Sequence, residues 1–133
     1  TIHHCYDFGI SLVPKVLSRV FIERTSVTGC GDGIAANSNT VAVIKDSTVC
    51  GNLGAGVLAG TNTAWISIQH TTVTDNHIGF DCAGKACISE STFAANHADG
   101  LKVRVPGVIK SFGDNYIFSN KPDGAPTVLK LKK

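Results

Sequence analysis

The side chains of this chain that could do chemistry fall into three groups. Asp81, Lys102 and Arg104 are the first, His77 and His97 with Asp75 beside them the second, and Trp65, the sole tryptophan, the third. A carboxylate beside two cations can bind an acidic group, or leave Lys102 or Arg104 as a proton acceptor. The simpler reading is a surface ion pair worth about 0–1 kcal/mol. Two imidazoles on one turn invite a metal. Yet the same position reads Tyr6, Gly31, Leu53 and Lys121 elsewhere, so no metal is expected, and two exposed turn histidines are the plainer account. A flat indole gives a stacking surface for a ligand. No Gly-x-Ser-x-Gly elbow, P-loop or dinucleotide fingerprint is present.

What positions these residues is a repeat. Gly9-Ile10, Gly33-Ile34, Gly56-Val57, Gly79-Phe80, Gly100-Leu101 and Gly124-Ala125 recur about every 23 residues. A second column reads Ile2, Val27, Val49, Val73, Phe93 and Ile117. Three residues on comes a third: Cys5, Cys30, Asn52, Asn76, Asn96 and Asn120. Within one unit, Ile66 and Ile68 alternate with Ser67, the period of a half-buried strand. Thr71–Thr74 reads as a second short strand, and Gly79–Cys82 as a third after the turn at Asn76. The nearest helical candidate, Leu12 to Val20, carries Pro14 and several β-branched residues, which disfavour a helix. Short strands at this period predict a stack of coils about 4.8 Å apart, with equivalent residues directly above one another. The fold class expected is all-β.

The run Ile68-Gln69-His70-Thr71-Thr72-Val73-Thr74-Asp75-Asn76-His77-Ile78-Gly79-Phe80 resembles the strand, Asn-turn, Gly-apolar unit of right-handed parallel β-helix repeat proteins, the pectate-lyase-like architecture. The closing stretch Ser111-Phe112-Gly113-Asp114-Asn115-Tyr116-Ile117, with Asn120 and Asp123-Gly124, resembles the last coil of secreted bacterial β-helix proteins of unsettled function. The resemblance covers the chain from about Val20. It implies a right-handed, single-stranded parallel β-helix of about five to six coils over residues 1–133, a fragment or C-terminal part of a longer stack, in an extracytoplasmic or secreted protein.

Enzymes of that architecture act on polysaccharides in a groove on the outer face, with stacked acids and often calcium, or with a basic proton acceptor. The resemblance therefore points to Asp81, Lys102 and Arg104 as candidates for a lyase, epimerase or hydrolase. Asp81 has no acidic neighbour in its column (Ser11, Ala35, Leu58, Asp81, Lys102), so the paired carboxyls of a glycosidase are not expected. The outward columns Glu23, Lys45, Gln69, Ser89, Gly113 and Arg24, Asp46, His70, Glu90, Asp114 alternate in charge. They read as ion pairs that set register: Glu23 with Lys45, Arg24 with Asp46, His70 with Glu90. No calcium site is carried over, and no cofactor is expected.

Charged residues are 17% and the formal net charge is +2, which disfavours a nucleic-acid partner. No apolar run approaches the roughly 20 residues of a membrane span. Phe21, Val41, Val43 and Trp65 are expected to face outward. Cover by Leu12–Leu17, a second copy in a homo-oligomer, and a ligand are three readings of that face. An uncapped N-terminal strand edge is a further route to a homo-oligomer, while Leu129-Lys130-Leu131-Lys132-Lys133 discourages pairing at the other end. Cys5 and Cys30 stand where later coils carry Asn. Stacked neighbours fall within disulfide reach, so a bond and two packed free thiols both stay open. Cys82 is expected inward and Cys87 outward, against a bond between them. Three functions follow: a non-catalytic scaffold or glycan-binding module, a polysaccharide-acting enzyme, and a self-assembling fibre-like piece.

Overall fold

The computed structural model describes residues 1–130, so Leu131, Lys132 and Lys133 of the lysine-rich end lie outside the described residues. The chain winds through three faces in a fixed order. The first coil contributes β1 (Ile2–His3), β2 (Phe8–Leu12) and β3 (Ser18–Glu23), and the second β4 (Ser26–Thr28), β5 (Asp32–Ala36) and β6 (Thr40–Lys45). The third holds β7 (Thr48–Cys50), β8 (Ala55–Ala59) and β9 (Trp65–Gln69), and the fourth β10 (Thr72–Thr74), β11 (Ile78–Cys82) and β12 (Lys85–Ser89). The last turns hold β13 (Thr92–Ala94), β14 (Leu101–Val103), β15 (Val108–Ser111), β16 (Tyr116–Phe118) and β17 (Val128–Leu129). Among the described residues no helix forms, so Leu12 to Val20 is a strand end, a loop and a strand start. No helix is long and apolar enough to cross a membrane.

Sheet A stacks β1-β4-β7-β10-β13-β16, sheet B β2-β5-β8-β11-β14 and sheet C β3-β6-β9-β12-β15-β17. Every pairing is parallel and joins one coil to the next, which makes a β-solenoid of about five turns. The register reproduces the expected columns: Ile2↔Val27↔Val49↔Val73↔Phe93↔Ile117 in sheet A, and Ile10↔Ile34↔Val57↔Phe80↔Leu101 in sheet B. The sixth Gly pair opens no strand. Gly124 takes a left-handed φ of 72°, and Pro122 and Asp123 offer their carbonyls to Gly100 and Leu101 N–H over the open side of β14.

The core is a narrow apolar channel. Ile44, Ile68 and Ile88 from sheet C meet Val49, Val73 and Phe93 from sheet A and Ile34, Val57 and Phe80 from sheet B, all fully buried. Each such side chain contributes about 1.5–3 kcal/mol. Phe80 and Phe93 stack at 6.5 Å.

Two corners are built differently. Between sheets A and B the Asn column forms a ladder. Asn52 Nδ2 donates to Asn76 Oδ1 at 2.8 Å, Asn76 to Asn96 at 3.2 Å and Asn96 to Asn120 at 2.7 Å. The Gly column exists to admit it: a Cβ on Gly56 would lie 2.6 Å from Asn76 Nδ2. Between sheets C and A, Arg24, Asp46, His70 and Glu90 hold φ of 49°, 49°, 45° and 48°, a left-handed kink that turns the chain and throws these charges outward. Directly after them runs a second ladder, absent from the sequence reading. Ser47, Thr71 and Ser91 accept from the backbone N–H of Thr25, Ser47 and Thr71 at 3.2, 3.4 and 3.1 Å. Each hydroxyl also donates to the carbonyl two residues back.

The last coil departs from the expected alignment. Ile88 pairs with Ser111 and Thr92 with Tyr116, so this coil holds one residue more between those points. Ser89 therefore does not face Gly113. Glycine instead joins the left-handed column beside Glu90, at φ 82°.

Candidate functional site

Sheet B presents Asp81 on β11 and Lys102 on β14 as register partners. Arg104 lies just beyond β14, anchored by its N–H to Cys82 O at 2.8 Å. Its Nε donates to Asp81 Oδ1 at 2.6 Å, and the Asp81 side chain is only 13% exposed. The three candidates are thus brought together, and the carboxylate is committed to the guanidinium. The carboxylate thus already has a cationic partner on the sheet.

On the corner between sheets C and A a string of opposite charges runs along the stack. Glu23 meets Lys45 at 3.7 Å, Lys45 meets Asp46 at 3.7 Å, Asp46 meets His70 at 4.0 Å, and His70 meets Glu90. Arg24 does not pair with Asp46 as expected. Its side chain, 81% exposed on the left-handed kink, turns back to Glu23 at 3.3 Å, while Lys45 and His70 take Asp46. Glu90 and Asp114 are the one place where the charge alternation fails: both are acidic and adjoin, and Asp114 Oδ1 accepts the Glu90 N–H at 3.1 Å.

His77 and His97 follow the Asn ladder and share a depression of about 320 Å³ with Asp75, Gly51, Asn52 and Leu53. His97 Nε2 lies 3.0 Å from Asp75 Oδ1, with both side chains about two-thirds exposed. Among the described residues no three His, Cys, Asp or Glu side chains converge to hold a metal.

Trp65 opens β9 on the outer face of sheet C. It is half-buried at one end of a groove of about 260 Å³ whose other walls are Lys85, Ala86, Cys87, Val108 and Lys110. Val41 and Val43 are also half-buried, and Phe21 is 61% exposed. The Leu12–Leu17 segment does not cover this face. Its Val13, Val16 and Leu17, in the loop between β2 and β3, are themselves 64–72% exposed. Lys85 and Lys110 escaped the sequence reading, although the register that placed Trp65 outward places them beside it.

All five cysteines are free thiols. Cys5 and Cys30 adjoin across the first two coils, and a hydrogen bond of the Cys5 thiol to Cys30, with partial burial, raises the Cys5 pKa. Cys82 points inward and Cys87 outward, as expected. Burial pushes the Cys82 thiol to about 11 from the usual 9.0. Comparison of the chain with family models, with curated proteins and with solved structures returns no match, so the fold rests on strand register and any function on side-chain geometry.

Proposed function

We propose that this chain is a non-catalytic extracytoplasmic module that binds glycans on the outer face of sheet C. The observation that carries the reading is Trp65, half-exposed over a groove of about 260 Å³ on the outer face of a parallel sheet. An indole on such a surface stacks on a sugar ring without reorganising. The catalytic alternative, a polysaccharide lyase, epimerase or hydrolase, is weakened by the closed Asp81–Arg104 pair. The test is a glycan array run beside a polysaccharide-degradation screen on the whole chain. Glycan retention that falls at least tenfold in Trp65→Ala, with no product formed, is the expected result. Product formation that disappears in Lys102→Ala or Arg104→Ala overturns it in favour of the enzyme. A self-assembling role is favoured by one observation, the 61% exposed Phe21 on edge strand β3. Light scattering decides it: a monomer at all concentrations removes that role.

A further inference from the structure

We infer that the Trp65 face selects an acidic polysaccharide, one bearing carboxylates or sulfates, lying along the axis of the stack. This rests on the glycan reading above and names its ligand class. Two adjacent outward columns make up the middle of sheet C. One runs Arg19, Val41, Trp65, Lys85, Val108, and the other Phe21, Val43, Ser67, Cys87, Lys110, Val128. Together they carry three cations and no Asp or Glu. The whole chain has 12 basic and 10 acidic side chains, so a one-sign strip is a local feature and not a reflection of composition.

Nor are those cations used by the fold. Arg19, Lys85 and Lys110 enter no ion pair among the described residues, whereas Glu23, Asp46, Asp75 and Asp81 all do. The nearest carboxylate on the face, Glu23 in the third column, is already held by Lys45 and Arg24. Five acids, Glu23, Asp46, Asp75, Asp81 and Glu90, are in ion pairs, while Arg19, Lys85 and Lys110 stay exposed on the face that carries the indole. Lys85 is the register partner of Trp65 one coil on. Lys110 is one further coil along and one column across. The backbone positions of the two lysines therefore succeed that of Trp65 along the axis, each about 4.8 Å further. A polymer with its sugar ring on Trp65 and acidic groups at its following residues meets a charge at each coil. Flexible lysines suit solvated carboxylate or sulfate groups, which they contact as point charges. Single-stranded nucleic acid also joins stacking to cations, but it needs successive aromatic platforms, and the two aromatics of this face, Phe21 and Trp65, stand two coils apart.

The experiment measures binding of the intact chain to alginate oligosaccharide, a heparin-type sulfated oligosaccharide, a neutral β-glucan oligosaccharide and oligo-deoxythymidine. Variants are Trp65→Ala, Lys85→Gln, Lys110→Gln, the double lysine variant, and Lys121→Gln as an exposed cation away from the face. Thermal melts of each confirm folding. The expected result is acidic glycans bound at least about tenfold tighter than neutral ones, with that margin lost in the double lysine variant, kept in Lys121→Gln, and eroded by salt. The salt dependence of the wild type reads the same point without any variant. Equal binding of acidic and neutral glycans, insensitive to salt and lysine but lost in Trp65→Ala, overturns the acidic class and leaves the glycan reading standing. No binding of either overturns both. Oligo-deoxythymidine bound as tightly as alginate also overturns it, as a surface for any polyanion.

Discussion

The corner between sheets A and B holds the same six positions in two chemistries. Asn52, Asn76 and Asn96 each donate to the Asn of the next coil, and Asn76, Asn96 and Asn120 each donate also to a backbone carbonyl one coil back, at 3.1, 3.2 and 2.8 Å. The column ends on Asp123, whose Oδ1 accepts both Asn120 N and Nδ2 at 2.8 and 2.9 Å. The first two positions are thiols. Cys30 is fully buried, and its N–H is still met by Asn52 Oδ1 at 2.9 Å. Its sulfur, however, can only donate weakly, to Thr28 O at 3.6 Å. One end of the stack is thus tied coil to coil by buried amides and closed by a carboxylate. The other is filled by small soft side chains whose link between coils is a weak thiol hydrogen bond of Cys5 to Cys30. Stacking alone places residues above one another; whether that column also binds depends on its side chains carrying both a donor and an acceptor.

Substitutions test this contrast in decreasing order of effect. Asn76→Ala should cost about 3 kcal/mol in denaturant unfolding, because it orphans buried Asn52 N and Nδ2 together. Cys30→Ala should cost only about 1 kcal/mol; equal costs would mean the two ends are held alike. Asp123→Ala should cost about 1–2 kcal/mol, since it leaves Asn120 without its terminal acceptor at a partly exposed position. Hydrogen exchange at Asn120 should rise first, and unchanged protection there would remove Asp123 as the cap. Cys30→Asn should gain up to about 1 kcal/mol by extending the ladder one coil. A loss of similar size would show that the thiol end is shaped for sulfur.

The smallest effect is one of pH. Cys82 keeps its proton to about 11 in the folded chain and to about 9 when unfolded. Between those values the unfolded state binds fewer protons, so stability is full below pH 9 and declines as pH rises through 11. Cys82→Ala should flatten that alkaline decline. Cys82 should also alkylate more slowly than the half-exposed Cys87 at neutral pH, and equal rates would contradict its burial.

The Gly, Val/Phe and Asn columns were legible because parallel, in-register stacking turns sequence period into spatial contact. Inward and outward placement followed from strand alternation, so Trp65, Cys82 and Asp81 were assigned correctly. The hydroxyl ladder of Ser47, Thr71 and Ser91 sits five residues before each Asn and was overlooked, because Ser and Thr are too common in this chain to stand out as a column. Lys85 and Lys110 were overlooked for a different reason: neither is a chemically distinctive residue until it is seen beside Trp65.

Period and alternation therefore settle the path of the backbone, which side each residue faces and what lies above it. Long charged side chains escape that rule. Arg104 reaches diagonally to Asp81, Arg24 folds back to Glu23, and one added residue before Tyr116 shifts the last coil. The backbone repeats at a fixed interval, but a flexible side chain several bonds long can choose among neighbours on the same, next or diagonal coil. Which carboxylates are consumed, and which cations remain for a ligand, is decided by that choice in three dimensions.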